Sequence, residues 1–250
     1  MDDLIEQQAA WDDFAEEYYA TEQASQLPYV TDVLSYLQQA QLLPQQLLDL
    51  GSGAGRFTLP FAQAGVRVTA VDFSKEMLAI LRKRATQQNL TKLIVTKKAS
   101  WQQLVQESQN IPALWISMLP DITAQQMLQI SRLVTEKLLI FRLTQVNDPL
   151  LTPLLAKLAL PPERPEIQSE LVTQYQTILQ SEFQHSQTQF FNYQLIEELS
   201  ETELWAYLRD YPEITSEKFE WLQTKIKPKL NQGRLKSVLN YRFELLILER

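Results

Sequence analysis

Short apolar runs and longer amphipathic stretches take turns along the chain. The runs at residues 46–50, 66–71, 92–96, 113–117 and 137–141 are dense in Leu, Val and Ile, the pattern of buried strands. Between them, residues 56–64, 75–87, 101–106 and 123–135 repeat apolar positions at three- and four-residue spacing, as helices packed by one face do. This order predicts an α/β fold, with a mostly parallel sheet and helices on both faces. Two helices are expected ahead of it, at 5–21 and 29–42, the second introduced by Pro28 and closed before Pro44. After residue 147 the rhythm changes. Helices are expected at 153–160 and 169–180, around the breaker Pro161-Pro162-Glu163-Arg164-Pro165. Residues 187–196 alternate weakly like a strand, 201–209 and 216–226 read as helices, and 238–248 as a closing strand. The organisation read from this is a helical cap at 1–43, an α/β core at 44–146 and a C-terminal part at 147–250.

Composition removes several chemistries. The chain of 250 residues has no Cys, which excludes disulfides, thiolate metal sites and any Cys nucleophile, and His185 is its only His, a poor start for zinc. A net charge of −7 argues against a surface that grips nucleic acid through phosphate. The basic stretch Lys225-Ile226-Lys227-Pro228-Lys229 reads as a solvated face. Apolar runs such as 245–248 fall far short of the roughly twenty residues that cross a bilayer, and the start MDDLIEQQ has no signal-peptide pattern, so the expectation is a cytoplasmic protein with no membrane partner. The scattered Gln residues read as a habit of solvated helix faces.

The stretch Leu47-Leu48-Asp49-Leu50-Gly51-Ser52-Gly53-Ala54-Gly55-Arg56-Phe57 places three of the chain's five glycines within five residues, where the first core strand turns into the first core helix. In parallel sheets ligands bind at the carboxyl ends of the strands, so this turn is expected to meet a nucleotide-like ligand. A dinucleotide fingerprint would need a third glycine where Arg56 stands, which disfavours an NAD(P)-dependent oxidoreductase. The pattern present is D-x-G-x-G-x-G. Asp72, at the end of the next strand, suits a ribose under either reading.

With its acidic residue followed by G-x-G-x-G, the sequence resembles the class I S-adenosylmethionine-dependent methyltransferases over most of residues 47–141. The resemblance implies a Rossmann-like methyltransferase fold with an antiparallel C-terminal strand. It implies S-adenosyl-L-methionine as cofactor and a small-molecule methyl acceptor as partner. It also implies that Gly51, Ser52, Gly53 and Gly55 contact the cofactor, that Asp49 lies near its methionine amino group, and that the Asp72 carboxylate accepts from its ribose hydroxyls. Phe73 and Met77 would flank adenine or belong to the core. Many relatives place Asp after the third strand to accept from the adenine amino group. Here Lys97-Lys98-Ala99-Ser100-Trp101 offers none, so Ser100 and Trp101 are assigned to adenine by packing and backbone. Ser117 and Met118 end the fourth strand, where the acceptor would approach; no N/D-P-P-Y type motif is present. Trp11-Asp12-Asp13-Phe14-Ala15-Glu16-Glu17-Tyr18 resembles a segment that precedes many small-molecule members of the family. Its Trp11, Phe14 and Tyr18 share a helix face, either as a packing stripe or as a cap that brings Tyr18 to the cofactor. No catalytic base is assigned, the helices between 147 and 231 are expected on the substrate side, and a cofactor-binding protein without catalysis stays as an alternative.

Overall fold

The computed structural model describes residues 2–108, 110–120, 122–161 and 167–250; positions 162–165 of the proline-rich breaker lie outside them. The chain divides into two compact units, one of residues 1–142, 171–191 and 244–250, the other of residues 143–170 and 192–243.

The sheet has seven strands in the order β3-β2-β1-β4-β5-β7-β6, with β1 Gln46–Leu50, β2 Arg67–Asp72, β3 Ile94–Lys98, β4 Ile111–Ser117, β5 Val134–Asn147, β6 His185–Ser200 and β7 Arg234–Glu249; residues 143–147 of β5, 192–200 of β6 and 234–243 of β7 are counted in the second unit. β1 to β5 pair in parallel, and β6 and β7 form an antiparallel C-terminal pair, as expected for a Rossmann-like methyltransferase fold. Alternation along the central strands separates two faces. Leu48, Leu50, Leu114, Ile116, Leu138 and Ile140 point to one face, where they bury Leu104, Met127, Ile130, Tyr175 and Leu179 from α5 (Trp101–Glu107), α6 (Ala124–Ser131) and α8 (Leu171–Leu179). The other face carries Trp115 and Phe141. They stack with Phe57, Phe61 of α3 (Thr58–Gln63) and Tyr29 of α2 (Tyr29–Gln39), with ring centroids 4.7 Å apart for Phe57 and Trp115. Such aromatic pairs contribute roughly 0.5–1.5 kcal/mol each beyond their area burial. α4 (Lys75–Gln87) covers β2 and β3, and α1 (Asp2–Ala24) lies along α4.

Element types follow the periodicity, and the boundaries differ where the periodicity is ambiguous. The helix expected over 123–135 stops at Ser131, because Leu133 closes a turn back to Ile130 and Val134 already begins β5. An apolar Ile130, Leu133 and Val134 satisfy both periods, so spacing alone places no border between them. The strands expected at 137–141, 187–196 and 238–248 all run longer. Their extra residues mix polar positions with buried ones such as Val134, Thr144, Leu235 and Ser237, so no continuous apolar run marks the strand ends. Within the expected spans, side chains pair across the strands, as Gln194 with Asn240 and Arg242 with Asn192.

The second unit has its own apolar core. Leu151 and Leu155 of α7 (Leu151–Lys157), Leu204 and Leu208 of α9 (Glu201–Arg209) and Leu222 and Ile226 of α10 (Ser216–Ile226) meet in it. Buried Asp148 accepts from the N–H groups of Leu150 and Leu151 and from the Ser237 hydroxyl. Among the described residues of the chain, no helix is long and apolar enough to cross a membrane.

Candidate functional site

The turn after β1 is fastened to β2, since the N–H groups of Gly51 and Ser52 both donate to the Val71 carbonyl, at 2.8 and 3.0 Å. Two of its glycines do different things. Gly53 has φ +52°, and a Cβ built there would meet only Tyr18 Cε1, at 4.0 Å, so this position opens the backbone to whatever lies in front of it. A Cβ at Gly55 would stand 2.3 Å from Leu81 Cδ1 and 3.4 Å from Leu59 Cγ. Gly55 therefore makes room for α4 to close on the turn, and it does not line the cleft described below.

Asp72 ties that turn to the next helix. Its Oδ2 accepts from Gly53 N and its Oδ1 from Ser74 N, each at 2.8 Å. Burial pushes the carboxyl above its ordinary range, against the pull of the N–H groups of Ser74, Gly53 and Phe73. Asp49 lies deeper. Its Oδ2 accepts from Thr58 Oγ1 at 2.6 Å, and its Oδ1 is buried without a partner. Burial pushes its carboxyl up to about 7; the nearby Asp72 charge adds to this and the Thr58 bond opposes it. The Ser52 hydroxyl is likewise buried and unpaired. Asp49 and Ser52 sit behind the turn and do not line the cleft.

α1 is fixed to this machinery at two points. Near its middle, Asp12 Oδ1 accepts from the hydroxyl of Ser74, the N-cap of α4, at 2.6 Å and from Glu76 N at 3.3 Å. Towards its C-terminal end, the Glu22 carboxylate, whose side chain is only 5% exposed, pairs with Arg84 at 3.2 Å and with Arg56 at 3.3 Å. Arg84 also donates to the Ala54 carbonyl at 2.6 Å, and Arg56 donates to the Tyr29 hydroxyl while its guanidinium lies 5.6 Å from the Tyr18 ring. Between these points Ala15 is buried against Ala54, Met77 and Ile80, with Trp11, Tyr18 and Tyr19 around it. Trp11 and Tyr18 of the aromatic stripe pack around Ala15 and also line the cleft described below, while Phe14 stays 41% exposed. Burial pushes the Tyr18 phenol up in pKa, with Arg56 opposing.

Beyond β3, Ser100 forms a capping box with Gln103: Ser100 N donates to Gln103 Oε1 at 2.8 Å and Gln103 N to Ser100 Oγ at 3.4 Å. Trp101 and Gln102 follow. Beyond β4, Ser117 leads into Met118, a non-glycine residue at φ +51° whose N–H bonds to Phe141 O. Arg142 donates to the Leu119 carbonyl at 2.6 Å, which fixes the next residue of this loop.

These pieces surround one cleft of about 450 Å³ at the carboxyl ends of the strands. Tyr18, Gly51, Gly53, Asp72, Phe73, Met77, Ser100, Trp101 and Ser117, all marked out by the sequence, line it together. Asp49, Ser52 and Gly55 do not. Sequence reasoning passed over Leu4, Gln7, Gln102, Leu119, Pro120 and Gln126, which also line it. For Gln102 and the loop of Leu119 and Pro120, the usable signal was position just past a strand's carboxyl end. The sequence pattern reads the glutamines as solvated surface.

The sequence model of the methyltransferase domain family matches residues 47–136. No curated protein matches the chain. Among solved structures, it is similar to magnesium protoporphyrin IX methyltransferase from Synechocystis PCC 6803 with bound SAH, at 13% identity over 96% of this chain and 98% of that one, with a TM-score of 0.55. It is also similar to the YcgJ protein from Bacillus subtilis, at 15% identity over 87% and 98% of the two chains, TM-score 0.52. A third is precorrin-6y C5,15-methyltransferase from Geobacter metallireducens GS-15, at 7% identity over 88% and 86%, TM-score 0.50. At these identities the likeness is one of fold.

Proposed function

We infer that this chain, which belongs to the class I S-adenosylmethionine-dependent methyltransferases through the domain at residues 47–136, transfers a methyl group to a small molecule held in the cleft beside the glycine turn. The observation that carries the reading is Asp72. Its carboxylate ends β2, is held by the N–H groups of Gly53 and Ser74, and faces the same cleft as the open backbone of Gly53. The residues present fit the cofactor. The Asp72 oxygens accept from Gly53 N and Ser74 N, with the Phe73 N–H adding its pull, and keep capacity to accept from ribose hydroxyls. Gly53 leaves the cleft clear where a side chain would project, and Phe73, Met77 and Trp101 supply flat or apolar walls for a base. Tyr18, Gly51 and Gly53 take the methionine side, with Asp49 acting on its ammonium by charge from behind the turn.

S-adenosylmethionine supplies an electrophilic methyl group on a sulfonium whose sulfur leaves as a neutral thioether. The protein's part is then alignment and exclusion of water more than proton transfer. Ser117, Met118 and Leu119 form the wall at the β4 end, where the methyl acceptor is aligned, and the Arg142 bond to Leu119 keeps that wall in place. Asp72 is the one carboxylate among the described residues that line the cleft. No general base is built into this reading.

A thermal-shift comparison of S-adenosylmethionine, its demethylated product S-adenosylhomocysteine and NADH tests it. A ligand at a hundred times its dissociation constant adds about 2.7 kcal/mol of stability. Either adenosyl ligand should raise the melting temperature. Stabilisation by NADH alone would overturn the reading.

A further inference from the structure

We propose that the methyl acceptor is an uncharged, flat nitrogen heterocycle whose ring nitrogen carries no proton at neutral pH, so that the chain makes an N-methylated, cationic product. This rests on the methyltransferase reading of the cleft and names the substrate class of that same site. The starting observation is the part of the cleft not assigned to the cofactor. Its wall is Leu4 and Trp11 of α1 with Met118, Leu119, Pro120 and Ile122 of the segment after β4, and its polar side chains, Gln7, Ser117 and Gln126, are neutral. Such a wall favours a ligand by the apolar area it covers, and a flat ring covers an indole well.

Charge narrows the class. Among the described residues that line the cleft there is no Lys, Arg or His, and Asp72 is the one carboxylate. Two guanidinium groups of the same unit do not line it and are committed: Arg56 pairs with Glu22, and Arg142 donates to the Leu119 carbonyl. A carboxylate or phosphate on the acceptor would leave water beside Asp72 with no cationic side chain to meet it. Positive charge fares better, because the Trp11 ring at this end attracts cations through its π face.

Proton bookkeeping selects the attacking atom. A hydroxyl or an ammonium group must lose a proton before it attacks. Asp72 is engaged by the Gly53 and Ser74 N–H groups and by the ribose, and burial keeps the Tyr18 phenol protonated at neutral pH. An unprotonated ring nitrogen needs no base. Its lone pair forms the new N–C bond to the methyl group as the C–S bond breaks, and that bond's electron pair goes to sulfur. No proton moves, and the positive charge passes from sulfur to nitrogen, so the cleft holds one cation before and after transfer.

The test is calorimetric titration of the full chain, saturated with S-adenosylhomocysteine, with three ligands of similar size: quinoline, N-methylquinolinium and 2-naphthoate. The first two should bind, and 2-naphthoate should bind at least about 10-fold more weakly than either. Quinoline incubated with S-adenosylmethionine should yield N-methylquinolinium and S-adenosylhomocysteine in equal amounts by mass spectrometry. Asp121, next to Pro120 in sequence, lies outside the described residues, and folded Asp121→Asn should give the same yield because no proton is taken. Trp11→Leu should lower the preference for N-methylquinolinium over its uncharged isostere 1-methylnaphthalene by roughly 2- to 30-fold, the range for a cation–π contact. Any one of four results overturns the assignment while leaving the methyltransferase reading in place: 2-naphthoate binding as tightly as quinoline, quinoline neither bound nor methylated by a protein that binds S-adenosylhomocysteine, turnover lost in folded Asp121→Asn, or an unaltered preference in Trp11→Leu. Absence of any binding of S-adenosylhomocysteine to the wild type overturns both.

Discussion

Asp49→Asn is the substitution with the most unusual expected result, because it should make the empty protein more stable at neutral pH and less responsive to pH. Asp49 is 1% exposed, has one partnered and one orphaned oxygen, and titrates near 7 where an unfolded Asp titrates near 3.8. A carboxyl with a raised folded pKa binds its proton more tightly when folded. The folded state is therefore favoured at low pH, and stability declines as pH rises from about 4 to about 7. At 1.36 kcal/mol per pKa unit, the ionised form costs about 4 kcal/mol by the upper end of that window. Asn has nearly the same shape, can still accept from Thr58, and carries no charge to desolvate. The assay is urea unfolding of both proteins at half-unit steps from pH 4.5 to 8. The wild type should lose stability relative to Asp49→Asn at a slope approaching 1.4 kcal/mol per pH unit, flattening above about pH 7. A flat difference across the range would refute the reasoning. The same charge bears on function. A bound ammonium favours ionised Asp49, so S-adenosylhomocysteine should bind more weakly as pH falls below 7, and Asp49→Asn should lose that dependence.

Three further outcomes are expected. Asp72→Ala should weaken S-adenosylhomocysteine binding by roughly 1.5–3 kcal/mol in calorimetry, and should also lower the unfolding free energy, because the Gly53 and Ser74 N–H groups lose their acceptor. Glu22→Gln should destabilise the protein by about 2 kcal/mol in urea unfolding, less than for a fully enclosed pair because Arg56 and Arg84 are 22% and 15% exposed. Hydrogen exchange should divide α1 at the Asp12 bond to Ser74: amides from Leu4 to Trp11 should gain protection when S-adenosylhomocysteine fills the cleft, and those from Ala15 to Glu22 should be protected already. Equal protection throughout, with and without ligand, would make all of α1 a fixed wall.

What the sequence made legible was what local pattern encodes. The strand and helix order, the boundaries of α4, α9 and α10, and the glycine turn opposite Asp72 all come from spacing and capping residues, which act over a few positions. G-x-G-x-G announces that something comes close to the backbone without saying what. At Gly53 it is the cleft, and at Gly55 it is Leu81, 26 residues further on in sequence and on another element. The Glu22, Arg56 and Arg84 cluster was hidden for the same reason, since its members meet only after α1 packs on α4. Gln102 was invisible in a different way. Among many solvent-facing glutamines, nothing in composition distinguishes one that comes to line a cleft.

The central claim is that the cleft in front of Gly53 receives S-adenosylmethionine, and a single side chain placed there tests it most directly. Asn tolerates the left-handed backbone that Gly53 adopts, so Gly53→Asn should fold with a melting temperature near that of the wild type while filling the open space before Tyr18. Calorimetric titration with S-adenosylmethionine should then give one site per chain for the wild type and at least a tenfold weaker affinity for Gly53→Asn. Equal affinities for the two proteins, or no binding by the wild type, would contradict the account.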